Sequence, residues 1–116
     1  MSETPKANGT TEIRVGQEVA TLVNTFSVDP ERQDEFVRAW VEHTEKTMRH
    51  RPGFISANLH ASVDGERVMN YAQWRSQADL QAALADPEVA REIVELGKFA
   101  TGRDPRFYRV VSVHTA

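Results

Sequence analysis

The hydrophobic residues of this chain recur with two different periods. The order in which those periods alternate is the strongest constraint on its fold. Val19–Ser27 (VATLVNTFS) is β-branched and aromatic, as a strand requires. Asp29-Pro30 then supplies an N-cap and a proline suited to the first helical position. Behind it Phe36, Val37, Trp40, Val41, Thr44 and Met48 recur at helical spacing, until Pro52-Gly53 stops the helix. Glu31, Asp34 and Glu35 sit near its start and Lys46, Arg49, His50 and Arg51 near its end, so both charge sets complement the helix dipole. Phe54–Ala61 and Arg67–Trp74 are strand-like runs around Asp64-Gly65, a β-hairpin signal. Ser76 and Asp79 form a variant capping box that opens a second helix. Asp86-Pro87 interrupts that helix and restarts it through Val89, Ile93 and Val94, and Gly97 or Gly102 ends it. Pro105 leads into Phe107–His114 as the last strand.

The resulting order is β-α-β-β-α-β, the split βαβ or ferredoxin-like unit of the α+β class. Both helical regions then cover one face of a four-stranded sheet. The other face would present Val23, Met69 and Tyr71, which are too apolar to leave wet across a whole sheet. A second copy is the simplest cover, so the expectation is a homodimer packed sheet against sheet, in a dimeric α+β barrel. The chain has 116 residues, the length of one domain. Residues 19–116 are assigned to that domain. Residues 1–18 are polar, carry Pro5, Gly9 and Gly16, and read as a flexible N-terminal arm in which Ile13 and Val15 suit a short strand.

Several function classes are poorly supported. The net charge is −3, whereas phosphate-driven nucleic-acid binding needs a basic patch. No cysteine is present, so disulfides, thiolate nucleophiles and cysteine metal sites do not arise. The four histidines include no pair at i,i+4 spacing, and no metal site is expected. No run approaches the roughly 18 apolar residues of a membrane span, and no apolar secretory segment opens the chain. The expected address is the cytoplasm. G-x-G-x-x-G, G-x-x-x-x-G-K-[ST] and G-x-S-x-G are all missing, so nucleotide binding and triad hydrolysis lack an anchor.

What remains is a polar set at positions where apolar residues belong. By the strand period, Ala20, Leu22, Asn24 and Phe26 share one face, and Val68, Asn70, Ala72 and Trp74 share another. Asparagine is depleted in strands, and a buried amide without partners costs about 1–3 kcal/mol. A buried indole also wants an acceptor for its N–H. Two readings stand. Either each Asn bonds a neighbouring backbone group and Trp74 is core, or Asn24, Asn70 and Trp74 converge under the helices on a flat ligand.

Gly53-Phe54-Ile55-Ser56-Ala57, His60-Ala61-Ser62-Val63-Asp64-Gly65 and Asn70-Tyr71-Ala72-Gln73-Trp74-Arg75-Ser76 together resemble the antibiotic biosynthesis monooxygenase family. The likeness is to its small quinone-forming members from aromatic polyketide pathways, and it covers about residues 19–114. The resemblance implies a dimeric ferredoxin-like barrel that uses molecular oxygen as co-substrate and no metal, flavin or haem. It implies a small aromatic substrate and neither nucleic-acid nor membrane partners. It also implies catalytic roles for Asn24, Asn70 and Trp74. A tyrosine used by some members is replaced here by Leu80, and Arg91 lies near the place of a family arginine. Haem-degrading relatives need a histidine on the second helix, but Ser76 to Thr101 contains none.

On that reading the enzyme turns an anthrone- or hydroquinone-like polyketide into a quinone. Asn24 and Asn70 would stabilise a developing oxyanion, and Trp74 would hold the peroxide or the substrate edge. Phe36, Trp40, Leu80 and Phe99 would wall the pocket, although helical apolar stripes are core by default. No strong base stands out. By the strand period His60 shares the parity of Phe54, Ser56 and Asn58; it would join the substrate-binding set as a base, or be an exposed, hydrogen-bonded side chain. A polyketide cyclase on the same barrel and a non-catalytic binder of hydrophobic aromatics are the alternatives.

Overall fold

A computed structural model describes residues 8–116. Strand β1 (Ala20–Val28) leads through a 3-10 turn to helix α1 (Gln33–Lys46), then a second 3-10 turn at Met48–His50. Strands β2 (Phe54–Ala61) and β3 (Arg67–Trp74) form the hairpin, followed by helices α2 (Gln77–Ala85) and α3 (Pro87–Gly97) and strand β4 (Ala100–Tyr108). The sheet order is β2-β3-β1-β4, with every neighbouring pair antiparallel. This is the ferredoxin-like α+β arrangement expected from the sequence.

The local chemistry explains the boundaries. Asp29 Oδ1 accepts the Glu31 N–H at 2.9 Å ahead of Pro30. Ser76 Oγ accepts the Asp79 N–H at 3.1 Å, and Asp86 Oδ1 accepts the N–H groups of Glu88 and Val89. Asp86 therefore caps α3, and Pro87 follows it, which splits the second helical region in two. In the hairpin loop Asp64 Oδ1 accepts from Glu66 N–H and Ser62 Oγ–H, while Gly65 adopts φ +83°.

Two apolar clusters fill the space between helices and sheet. One joins Phe26, Val28, Phe36, Val68 and Leu96, with Trp40 and Phe99 packed on it. The other joins Ala72, Trp74, Leu80 and Ala83, with Leu22, Met48 and Phe54 against it. The Phe26 and Phe36 rings meet edge-on at 5.1 Å, and Phe36 stacks with Phe99 at 6.0 Å. Such ring pairs add about 0.5–1.5 kcal/mol beyond area burial.

Three expectations need correction. The last strand is Ala100–Tyr108, not Phe107–His114. Its register on β1 runs from Val28↔Ala100 to Thr21↔Tyr108, and β1 begins at Ala20, so residues beyond Tyr108 have no ladder to join. Gly102 and Pro105, which read as breakers, lie inside it because β4 is an edge strand, where a missing N–H can face outward. Second, β2 does not keep one alternation. The register shifts between Phe54 and Ser56, so Phe54 shares a side with Trp74 while Ser56, Asn58 and His60 pair with Gln73, Tyr71 and Met69 on the other. Third, Ile13 and Val15 are exposed and form no strand. Gly16 (φ +76°) completes a turn there.

Residues before β1 touch the outer face, the side away from the helices. Gln73 Nε2 donates to the Glu12 carbonyl at 2.9 Å, and the Thr11 hydroxyl donates to Asn58 Oδ1 at 2.5 Å. Gln73 is 1% exposed. Among the described residues no helix is long and apolar enough to cross a membrane.

Candidate active site

The core-facing parity of β1 and β3 carries Leu22, Asn24, Phe26, Asn70, Ala72 and Trp74. All six open onto one cavity of about 610 Å³ between sheet and helices. Trp40, His43, Thr44 and Met48 complete its wall from α1 and the turn after it, and Leu80 and Leu84 from α2. Ile93 and Val94 do so from α3, and Arg103 and Pro105 from β4. The lining is mainly apolar, and among the described residues its ionisable side chains are His43 and Arg103, with no carboxylate. That composition suits a flat, largely apolar ligand with a few oxygen atoms.

Register places the amides together. Asn24 and Asn70 are direct partners on adjacent antiparallel strands, so their side chains leave the sheet side by side. Neither Oδ1 has a hydrogen-bond partner among the described residues, although both atoms are buried. Rotating an amide about its terminal bond presents N–H donors in place of the oxygen. Trp74 is 2% exposed and stands edge-on to Phe54 at 5.4 Å. That contact fixes the indole plane at the end of β3. Gly53 holds the neighbouring chain in place: its carbonyl accepts the Arg75 N–H at 2.7 Å, and its backbone is left-handed at φ +86°.

The structure therefore brings Asn24, Asn70, Trp74, Trp40 and Leu80 to one cavity. The other residues named from the sequence lie elsewhere. Phe36 is fully buried between Phe26, Trp40 and Phe99, so it is core. Phe99 packs on that same cluster and carries the Arg32 guanidinium 4.6 Å above its ring. His60 is exposed on the opposite side of the sheet, with Nδ1 3.0 Å from the Asn58 carbonyl, because the shift at Ile55 turned that half of β2 over. Arg91 is exposed and lines a shallow groove with Glu88, Glu92 and Glu95 rather than the cavity.

Among the cavity residues that the sequence pattern does not single out is a histidine. His43 is 6% exposed, and its Nδ1 lies 2.7 Å from Glu92 Oε1. The same oxygen accepts the Thr47 hydroxyl at 3.0 Å. The His43 hydrogen bond is the main cause holding the Glu92 carboxyl below the ordinary glutamate range. Burial opposes it, and Thr47 adds to the lowering. The available signal was spacing: Phe36, Trp40 and His43 fall at i, i+4 and i+7, on one stripe of α1.

Residues 20–92 match the antibiotic biosynthesis monooxygenase family. Over 69 residues the chain is 56% identical to a tetracenomycin-F1 monooxygenase of Streptomyces glaucescens, a match covering 60% of this chain and 62% of that protein. The chain thus spans less than two-thirds of that relative's length. A monooxygenase from the ActVA-Orf6 gene of Streptomyces coelicolor, solved in complex with nanaomycin D, is 32% identical with a TM-score of 0.75. That alignment covers 84% of this chain and 91% of the other. SnoaB, a cofactor-independent oxygenase from Streptomyces nogalater solved as a variant, shares the fold at a TM-score of 0.72 and 21% identity. It covers 84% of this chain and 97% of its own.

Proposed function

The chain belongs to the antibiotic biosynthesis monooxygenase family, and from that premise we propose that it uses molecular oxygen to oxidise an anthrone- or hydroquinone-like aromatic polyketide to a quinone. The observation that carries this reading is the pairing of two asparagines whose buried amide oxygens have no partner among the described residues, in the same mainly apolar cavity as Trp74. The similarity to a tetracenomycin-F1 monooxygenase and to a monooxygenase solved with nanaomycin D supports the substrate class.

Buried amides are costly to keep unpaired, so their retention fits a ligand that supplies the partners. An anthrone carries a central methylene flanked by two aromatic rings, with a carbonyl across the ring. Losing a methylene proton places negative charge on that carbonyl oxygen. The Asn24 and Asn70 amides, turned to present N–H groups, stabilise the charge as it forms. The anion then reduces oxygen, forming a C–O bond to a peroxide at the former methylene. Loss of the second methylene proton with cleavage of the O–O bond gives the quinone carbonyl and water. Trp74 N–H donates to the peroxide or holds the ring edge, and Trp40 and Leu80 clamp the ring faces.

In this reading substrate and oxygen supply the redox equivalents and the chain needs no metal or organic cofactor; the fold likeness to SnoaB, a cofactor-independent oxygenase, is consistent with that. The homodimer belongs to the same proposal. It is supported by β4, whose residues are exposed from Thr101 to Tyr108, and by Phe107, Tyr108, Val111 and Val113 among the exposed apolar side chains.

Oxygen uptake with dithranol, a dihydroxyanthrone, tests the reading directly. One oxygen should be consumed per quinone formed, by metal-free, colourless protein. Loss of most turnover in both Asn70→Ala and Trp74→Phe is expected. A cyclase or a simple binder would retain the ligand without consuming oxygen.

A further inference from the structure

We infer that His43, backed by Glu92, is the general base that removes the substrate proton. This rests on the oxygenase reading above and supplies the base that the sequence did not reveal. Among the described residues of the cavity wall, the ionisable side chains are His43 and Arg103, and of the two only the imidazole can act as a neutral base. It belongs to the same cavity as Asn24, Asn70 and Trp74. Its Nδ1 is held by Glu92 Oε1 at 2.7 Å. A proton on Nδ1 donated to that carboxylate leaves the Nε2 lone pair as the basic site. Glu92 comes from α3 and is itself fixed by the Thr47 hydroxyl from the end of α1. The Trp40 ring meets His43 edge-on at 6.2 Å and limits its rotation. A base oriented by a hydrogen-bonded carboxylate is the arrangement that proton abstraction needs.

The step balances. His43 Nε2 takes one methylene proton, and the C–H electron pair remains on the ring system as the enolate. Glu92 carries the charge opposite the imidazolium. Oxygen accepts the electron pair and forms the new C–O bond. As the O–O bond breaks, the second methylene proton leaves carbon for the departing oxygen and the C–H electron pair closes the carbonyl; the hydroxide so formed takes the proton from the imidazolium and leaves as water, which restores the neutral base.

The charged groups around His43 are Glu92 and, bordering the groove on its far side, Glu42, Lys46, Glu88, Arg91 and Glu95. Arg103 faces it from β4 across the cavity. The pH profile of kcat reads this whole set, and the His43 and Glu92 variants separate the base from the rest.

The test is steady-state oxidation of dithranol by the full chain between pH 5 and 9, with the non-enzymatic rate subtracted. His43→Gln should lower kcat by about 10²–10⁴-fold, the range for a lost general base, with KM nearly unchanged and the acid limb abolished. Because His43 is buried, Glu92→Gln serves as the second variant. It should lower kcat by roughly tenfold and move the acid limb, again with KM nearly unchanged. Retention of kcat and of the acid limb in a folded His43→Gln, or in Glu92→Gln if His43→Gln does not fold, overturns the assignment. If the unmodified chain consumes no oxygen with dithranol or another anthrone, the oxygenase reading itself fails, a result distinct from an active enzyme indifferent to His43.

Discussion

Asn24 on β1 and Asn70 on β3 are register partners, and each buries an amide oxygen with no hydrogen-bond partner among the described residues. Two unpaired amides side by side under a packed helical layer weaken the fold. Replacing one with an apolar side chain of similar size removes a desolvation cost of about 1–3 kcal/mol. Asn70→Leu should therefore unfold later in urea, by about 1 kcal/mol, while its anthrone oxidation falls by about 10²–10³-fold. Chemical denaturation and oxygen uptake on the same preparation check both halves. A variant that gains stability and keeps full turnover would show that the amide is not used.

Gly53 is constrained twice. Its φ of +86° is disfavoured for any side chain, and a Cβ there would lie 2.5 Å from the Asp79 Cβ and Cγ atoms. Left-handed backbone costs about 1–2 kcal/mol and overpacking about 1–3 kcal/mol more. Asp79 has little room to retreat, because Arg75 grips both its carboxylate oxygens at 2.8 Å. Gly53→Ala should lose roughly 2–5 kcal/mol, measured by urea denaturation. Because Gly53 adjoins the Phe54–Trp74 contact, activity should fall with it.

Glu92 gives a pH dependence of stability. Its carboxyl is held below the ordinary glutamate range in the folded state, chiefly by the His43 hydrogen bond. The unfolded chain therefore binds that proton more readily. The stabilisation is complete above the ordinary glutamate range and is lost as pH falls from there through the lower folded-state value. Glu92→Gln should be less stable than the parent at neutral pH by about 1 kcal/mol, the difference between a charged and a neutral hydrogen bond. The two stability curves should converge in acid. Thermal melts across pH 3 to 7 would reveal a constant gap if the pairing contributed nothing.

The exposed aromatic end of β4 carries the dimer prediction. Tyr108 is 54% exposed on the sheet side away from the cavity, opposite Thr21. Light scattering should give twice the chain mass at micromolar concentration. Tyr108→Glu, which places a charge on that face, should weaken association by at least tenfold, or about 1.4 kcal/mol.

Much of this architecture was legible in the residues. The hydrophobic periods, Asp29-Pro30, Asp64-Gly65, Ser76 and Asp86-Pro87 each act within a few positions of themselves, so they mark element type and order without knowledge of the partner elements. Asn24, Asn70 and Trp74 stood out because asparagine is out of place on a core-facing strand parity. The last strand starts earlier than its sequence pattern suggests, because Gly102 and Pro105 break local patterns yet an edge beside β1 tolerates them. His60 stays with Ser56 and Asn58 but parts from Phe54, because the shift at Ile55 inverts every later side chain of β2.

By itself, then, the sequence determined the β-α-β-β-α-β order, the helix caps and the set of polar residues that needed an explanation. Only the tertiary structure decided that Asn24 faces Asn70, that Phe36 and Phe99 are core while Trp40 and Leu80 wall the cavity, and that His43 is tied to Glu92. The physical reason is range. Caps and turns are settled by interactions between neighbours in the chain. Register, cavity walls and a hydrogen bond between residues 49 positions apart exist only once separate elements pack against one another.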